Sequence, residues 1–156
     1  MLIKIAIVGL VAVARLAGFI ATRPSEYRIV RSRVVSGPPD VVHAYVNDFH
    51  KWPEWSPWEK KDPDLKREYS GAAEGPGAVY GWAGNKEVGE GRMTITDSRS
   101  PQSITIRLEF FKPVAGTSTA QFDFTPAGSG TNVTWAMTGE RNFMAKTLDF
   151  FLNMAR

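Results

Sequence analysis

The chain has 156 residues, 43% of them hydrophobic, and a formal charge of +3 from 19 basic and 16 acidic side chains. That length suits one domain with a proper core and a small appendage, and a mild positive excess spread along the chain argues against a nucleic-acid partner. The lack of cysteine excludes disulfides and cysteine-ligated metal sites, and leaves either side of a membrane open.

The first expected element is an N-terminal hydrophobic helix, an anchor or signal-like segment over residues 1–23. Leu2 to Ala21 are apolar except for Lys4 and Arg15, and Ile5 to Ala14 is unbroken. Spanning a bilayer takes about 20 such residues, and Arg15 lies past the midpoint, where it can snorkel toward one face. The alternatives are a helix buried in a soluble fold and a cleaved signal peptide with a secreted or periplasmic protein, but for the latter Phe19 stands where a small residue should precede Ala21. A domain anchored in the membrane by one helix is therefore expected. Arg23, Arg28, Arg31 and Arg33 outnumber Lys4 and favour a cytoplasmic domain. The same arginines also fit a folded strand, so the side stays open.

From Tyr27 the pattern shifts to a period of two, and Tyr27 to Val35 reads as a strand ended by Ser36-Gly37-Pro38-Pro39. Pro38-Pro39-Asp40 opens a short helix with Val41, Val42, Tyr45, Val46 and Phe49 as its apolar face. Then comes Trp52 to Pro63, with three of the five tryptophans inside seven residues and Pro53 and Pro57 among them. Each proline fixes its own φ and restricts its predecessor, so this segment is expected to be stiff and to stop any helix. A stiff aromatic loop suits the closed end of an apolar cavity, and equally the plug of an ordinary core.

After Asp64 the chain reads as nearly all strand. Leu65 to Tyr69 and Gly77 to Trp82 are short runs ended by Ser70-Gly71 and Ala83-Gly84-Asn85. Glu87 to Thr96 carries Met93 and Ile95 on one face. Ser103 to Phe111 alternates, with Ile104, Ile106, Leu108 and Phe110 inward and Thr105, Arg107 and Glu109 outward. Thr117 to Thr125 groups Ala120, Phe122 and Phe124, and Thr131 to Thr138 groups Val133, Trp135 and Met137. Each is the signature of a half-buried antiparallel strand. Last, Asn142 caps a helix whose Phe143, Met144, Leu148 and Phe151 recur at helical spacing. The order predicts an α+β fold: seven antiparallel strands, curled because strands twist, around a C-terminal helix.

Certain words of the chain carry a family likeness. They are Asn47-Asp48-Phe49 with Trp52 and Trp55-Ser56-Pro57-Trp58-Glu59, then Asp62-Pro63, Tyr69-Ser70-Gly71, Gly77-Ala78-Val79-Tyr80, Gly91-Arg92-Met93 and Val133-Thr134-Trp135-Ala136-Met137. With them the chain resembles the SRPBCC (START/Bet v1-like) superfamily, and within it the bacterial "polyketide cyclase/dehydrase and lipid transport" proteins. The resemblance implies a helix-grip domain over residues 24–156 that holds a lipid-like or polycyclic hydrophobe in its cavity. It carries no catalytic signature, since members place different residues in the pocket for different tasks. The C-terminal helix of such folds is usually long; here it runs about four turns to Arg156, so either the helix is short or the sequence is truncated.

Catalytic and metal chemistry find little in the sequence. His43 and His50 are seven apart without a third ligand, so no metal is expected, and both are read as exposed or surface-packed. Of the carboxylates Glu59, Asp62, Glu68 and Glu109, Glu59 is the best acid–base candidate because it follows Trp58, although a solvated loop carboxylate is the default reading. Ser56 lies in a rigid turn without a nucleophile-elbow context, no cofactor motif appears, and Gly75-Pro76-Gly77 and Gly128-Ser129-Gly130 read as turns.

The expected ligand-binding residues are Trp55, Trp58, Tyr80, Trp82, Met93, Ile106, Leu108, Phe110, Phe122, Phe124, Trp135, Met137, Met144 and Leu148. Many of them must also be plain core, and the methionines suit varied apolar shapes. Binding or transfer of a hydrophobic small molecule is the leading expectation. A cyclase, dehydratase or hydrolase acting on such a substrate, and a membrane-tethered module that recruits a partner, are the alternatives.

Overall fold

The computed structural model describes residues 11, 14–22 and 25–140. The chain divides into two compact units, Arg28–Gly139 and the pair of segments Met1–Tyr27 and Glu140–Arg156. In the latter, residues 14–21 are helical, with Ile20 buried and Val11, Leu16 and Phe19 exposed. Among the described residues no helix is long and apolar enough to cross a membrane. Leu2 to Leu10 of the expected anchor, and the expected C-terminal helix with Met144 and Leu148, lie outside the described residues.

The larger unit is built on a seven-stranded sheet. Strand β1 (Glu26–Ser36) is followed by helix α1 (Pro39–Asn47), a 3-10 turn (Phe49–Lys51) and the short helix α2 (Trp52–Trp55). Then come β2 (Lys66–Gly71), β3 (Ala78–Ala83), β4 (Glu90–Arg99), β5 (Ser103–Lys112), β6 (Gly116–Ala127) and β7 (Gly130–Glu140). The strands lie in the order β1-β7-β6-β5-β4-β3-β2, and β2 to β7 form successive antiparallel pairs. Because β1 and β2 stand at opposite edges, the helical segment between them crosses the sheet, and α1 packs against β5 and β6. The strand alternation holds as expected: Ile95, Ile104 and Ile106 are completely buried, while Arg92 and Arg107 face solvent.

Helix α1 starts where its prolines predict, with Pro39 in the first turn, where a missing N–H costs nothing. Its buried face differs from the expected one. Val41 and Tyr45 are exposed, and the helix buries His43 and Val46 with Val42 partly covered. His43 is only 3% exposed, which corrects its reading as a surface histidine. Burial is tolerable because the ring is hydrogen-bonded, its Nε2 lying 3.2 Å from Ser98 Oγ, and because it packs edge-on against Phe124.

The Trp/Pro segment corrects a second expectation. Trp52 to Trp55 form a helical turn, since Pro53 falls at its first positions. This turn completes α1. A helix leaves its last four carbonyls without intrahelical partners. Here Trp55 Nε1 donates to the Tyr45 carbonyl at 3.2 Å, Trp52 Nε1 to that of Val46 at 3.0 Å, and the Gly75 N–H to that of Asn47 at 3.0 Å.

Candidate functional site

Strand register assembles one face of the sheet into four rows. The first runs Arg67, Trp82, Gly91, Phe110, and the second Tyr69, Tyr80, Met93, Leu108, Ser118. The third is Ile95, Ile106, Ala120, Met137 and the fourth Ser98, Ile104, Phe122, Trp135. Ser98 joins this face through a register shift between Ile95 and Asp97, which leaves Thr96 unpaired and turns the next alternate residue inward. Gly91 is required by Trp82, whose ring would lie 2.4 Å from a Cβ at that position. The indole itself is held by Nε1 donating to the Val88 carbonyl at 3.3 Å and by an edge contact with Phe110.

The expected ligand residues fall into three groups. Tyr80, Met93, Ile106, Phe122 and Phe124 are buried in the core cluster. Trp55, Trp82, Leu108 and Trp135 pack against that cluster while still partly exposed, and Phe110 and Met137 on the same face are also partly exposed. Trp55 joins the face from above, 4.7 Å from Trp52 and 6.5 Å from Phe122 between ring centres. Trp58 stands apart: it is 57% exposed, with the Lys61 ammonium 4.7 Å from its ring centre.

At the β2–β3 end of the face sits a polar cluster that the sequence did not show. Glu59 is buried, against the expectation of a solvated loop carboxylate. Its Oε2 accepts from Arg67 Nε at 2.7 Å and pairs with Nη2 at 2.6 Å, and its Oε1 accepts from the Tyr80 hydroxyl at 2.6 Å. A buried carboxylate is tolerated when it is paired and hydrogen-bonded in this way. Burial, then the Glu59 hydrogen bond, pushes the Tyr80 phenol far above its ordinary range. Burial and the same carboxylate raise Tyr69, and the Glu59 hydrogen bond raises Arg67. Arg67, Tyr69 and Tyr80 share a face at alternate positions of neighbouring strands, but no local sequence signal links them to Glu59.

The other candidate carboxylates are structural or solvated. Asp62 is buried, accepting from the backbone N–H groups of Asn85 and Asp64, so it ties the Trp-rich segment to the turn after β3. Glu109 faces outward and pairs with Arg92 and Arg107, and Glu68 is exposed. His50 is exposed; it stacks on Tyr69 with ring centres 4.3 Å apart, and its Nδ1 lies 3.0 Å from Asp48 Oδ1. Next to that stack is a cleft of about 130 Å³ lined by Phe49, His50, Tyr69, Ala78 and Val79, among others, far smaller than the roughly 300–1,000 Å³ of small-molecule pockets. Among the described residues no three His, Asp or Glu side chains gather as a metal site.

This curved antiparallel sheet with its crossing helices is the START/Bet v1-like, helix-grip fold of the SRPBCC superfamily. A model of the polyketide cyclase / dehydrase and lipid transport family matches residues 26–153, and the chain belongs to that family. Among solved structures it is similar to the Mll3558 protein from Rhizobium loti, at 23% identity over 73% of this chain and 78% of that one, with a TM-score of 0.55. It is also similar to CV1439 from Chromobacterium violaceum (15% identity, 74% and 81% covered, TM-score 0.57). A third likeness is to the ginseng major latex-like protein 151 from Panax ginseng (16% identity, 84% and 93% covered, TM-score 0.56). At these identities the likeness is one of fold. No functionally curated protein matches the chain.

Proposed function

We propose that the four-row face binds or transfers a hydrophobic small molecule, lipid-like or polycyclic, without chemical turnover. One observation carries this reading. Trp55, Trp82, Leu108, Phe110, Trp135 and Met137 lie partly exposed beside a fully buried core on one sheet face, with small Gly91 and Ala120 set among them. Partly exposed apolar side chains over a finished core are what a hydrophobic ligand would cover. Membership of a family described by lipid transport supports the same reading.

The cyclase, dehydratase or hydrolase alternative has weaker support. Both Glu59 oxygens are already engaged by Arg67 and Tyr80, so the carboxylate has no free oxygen aimed at a substrate. Part of the proposal is that residues 1–23 hold the domain at a membrane. The apolar run Leu2 to Ala21 supports it, as do the exposed Val11, Leu16 and Phe19.

The test is organic extraction of the purified full-length chain with mass spectrometry of the extract, joined to tryptophan-fluorescence titration with fatty acids and polycyclic aromatics. A retained hydrophobe and a saturable response are expected, both diminished by Leu108→Trp, which fills the face. An empty protein that ignores the whole panel would overturn the binding reading in favour of partner recruitment. Carbonate extraction of cell membranes tests the anchor: the chain should stay with the membranes, and release would remove that part of the proposal.

A further inference from the structure

We propose that the β1 edge of the four-row face is an oxyanion subsite, so that the bound molecule is an amphiphile with an anionic head, carboxylate or phosphate, on an apolar body. This rests on the reading that the face takes a hydrophobe. Ser32 Oγ lies 2.9 Å from Thr134 Oγ1. Thr134 alternates with Val133 and Trp135, which pack against the core, so Ser32 and Thr134 sit on the opposite, outer face. By the same alternation Arg31 and Arg33, the neighbours of Ser32, fall on the inner face beside the Val133–Trp135 side of β7.

Ion pairing sets the arginines of β1 apart, and of these Arg31 and Arg33, unlike Arg28, fall on the inner face. Arg67, Arg92, Arg99 and Arg107, the arginines of β2, β4 and β5, each pair with a carboxylate. Among the described residues neither Arg31 nor Arg33 has an acidic partner, and the one side-chain hydrogen bond the pair makes is Arg31 Nη1 donating to the Val30 carbonyl. Among the described residues the inner face supplies no spare anion: Glu59 is taken by Arg67, and Glu109 and Asp123 alternate with inward residues. Two guanidinium groups at the open edge of an apolar surface form a planar, multidentate receptor for a carboxylate or phosphate. Strand β1 is the sheet edge, so the head would stay at the water boundary while the body lies over Trp135 and Met137.

Full-length wild type, the double variant Arg31→Gln/Arg33→Gln and the outer-face control Arg28→Gln are titrated with dodecanoate, dodecyl phosphate and dodecanol, read by tryptophan fluorescence. Wild type and Arg28→Gln should bind at least one anion at least about tenfold more tightly than the alcohol, the scale of a charge-assisted contact. The double variant should bind the anions no better than dodecanol, with dodecanol affinity unchanged. Whichever anion binds more tightly identifies the head. Equal binding of alcohol and anions by wild type overturns the subsite and leaves the hydrophobic-binding reading intact. So does a preference retained by the double variant, or an equal loss in Arg28→Gln. Binding of none of the three overturns both.

Discussion

The Tyr80 hydroxyl donates to Glu59 Oε1 at 2.6 Å across 21 residues of sequence, while Arg67 holds the other oxygen. Tyr80→Phe keeps the ring and removes that bond, leaving a buried carboxylate oxygen without its donor. The expected loss is about 1–3 kcal/mol, measured as a shift of the urea midpoint at constant slope. Glu59→Gln should cost a similar amount. The effects of Tyr80→Phe and Glu59→Gln should be clearly non-additive, because both remove one interaction; simple additivity would show that Tyr80 and Glu59 are not coupled.

Stability should fall on mild acidification because of His43. Burial holds its pKa below the ordinary 6.5, opposed only in part by the hydrogen bond to the Ser103 backbone. The folded state therefore resists a proton that the unfolded chain accepts. The contribution is complete above 6.5 and is lost as pH falls below it. The groups around the ring, Ser98, Asn47 and Phe124, carry no charge to offset the imidazolium. Asp48 is a separate case: burial would raise it, but the His50 hydrogen bonds and Lys51 outweigh that and hold it below 3.8, so its loss belongs to stronger acid. Urea midpoints measured from about pH 7.5 to about pH 5.5 should decline for wild type and stay nearly level for His43→Gln.

Trp52→Phe should destabilise by about 1–3 kcal/mol, combining an unpaired Val46 carbonyl with lost packing in the core. Trp55→Phe, at a half-exposed site, should cost less. Hydrogen exchange of the amides in the last turn of α1 separates a capping role from packing alone: it should accelerate in both variants, and unchanged protection would assign the cost to packing.

Gly91→Ala places a methyl group against the Trp82 ring and the Glu109 carbonyl, both within 2.5 Å of the new atom. Overpacking of this kind costs about 1–3 kcal/mol. Trp82→Leu in the same chain should recover part of it, since one of the two clashes disappears; no recovery would assign the cost to the backbone contact.

The strands were legible because a half-buried antiparallel sheet writes its faces directly into a period of two, as Ile104 to Phe110 show. Reading α1 by hydropathy alone failed. The helix has nine residues, and His43 earns its burial from Ser98, a residue 55 positions away that a strand irregularity turns inward. Trp52 to Trp55 was misread for a local reason, since a proline in a first turn starts a helix that a proline further in would end. Glu59 looked like a surface carboxylate because its partners come from β2 and β3, and only their pairing brings Arg67 and Tyr80 to it. The partly exposed apolar residues were recognisable one strand at a time, but their grouping into rows needed the register.

The irregularity in β4 gives that strand some slack. Thr96 is a spare letter in a text read two letters at a time: Ile95 pairs with Ile106 and Asp97 with Thr105, and nothing pairs with the residue between. Deleting Thr96 would leave every other side chain of β4 on its present face. Deleting any one residue from Gly91 to Ile95 would instead draw Thr96 into line and set a hydroxyl among the isoleucines. The strand can therefore shorten by one residue at a single place without changing what it presents to the core.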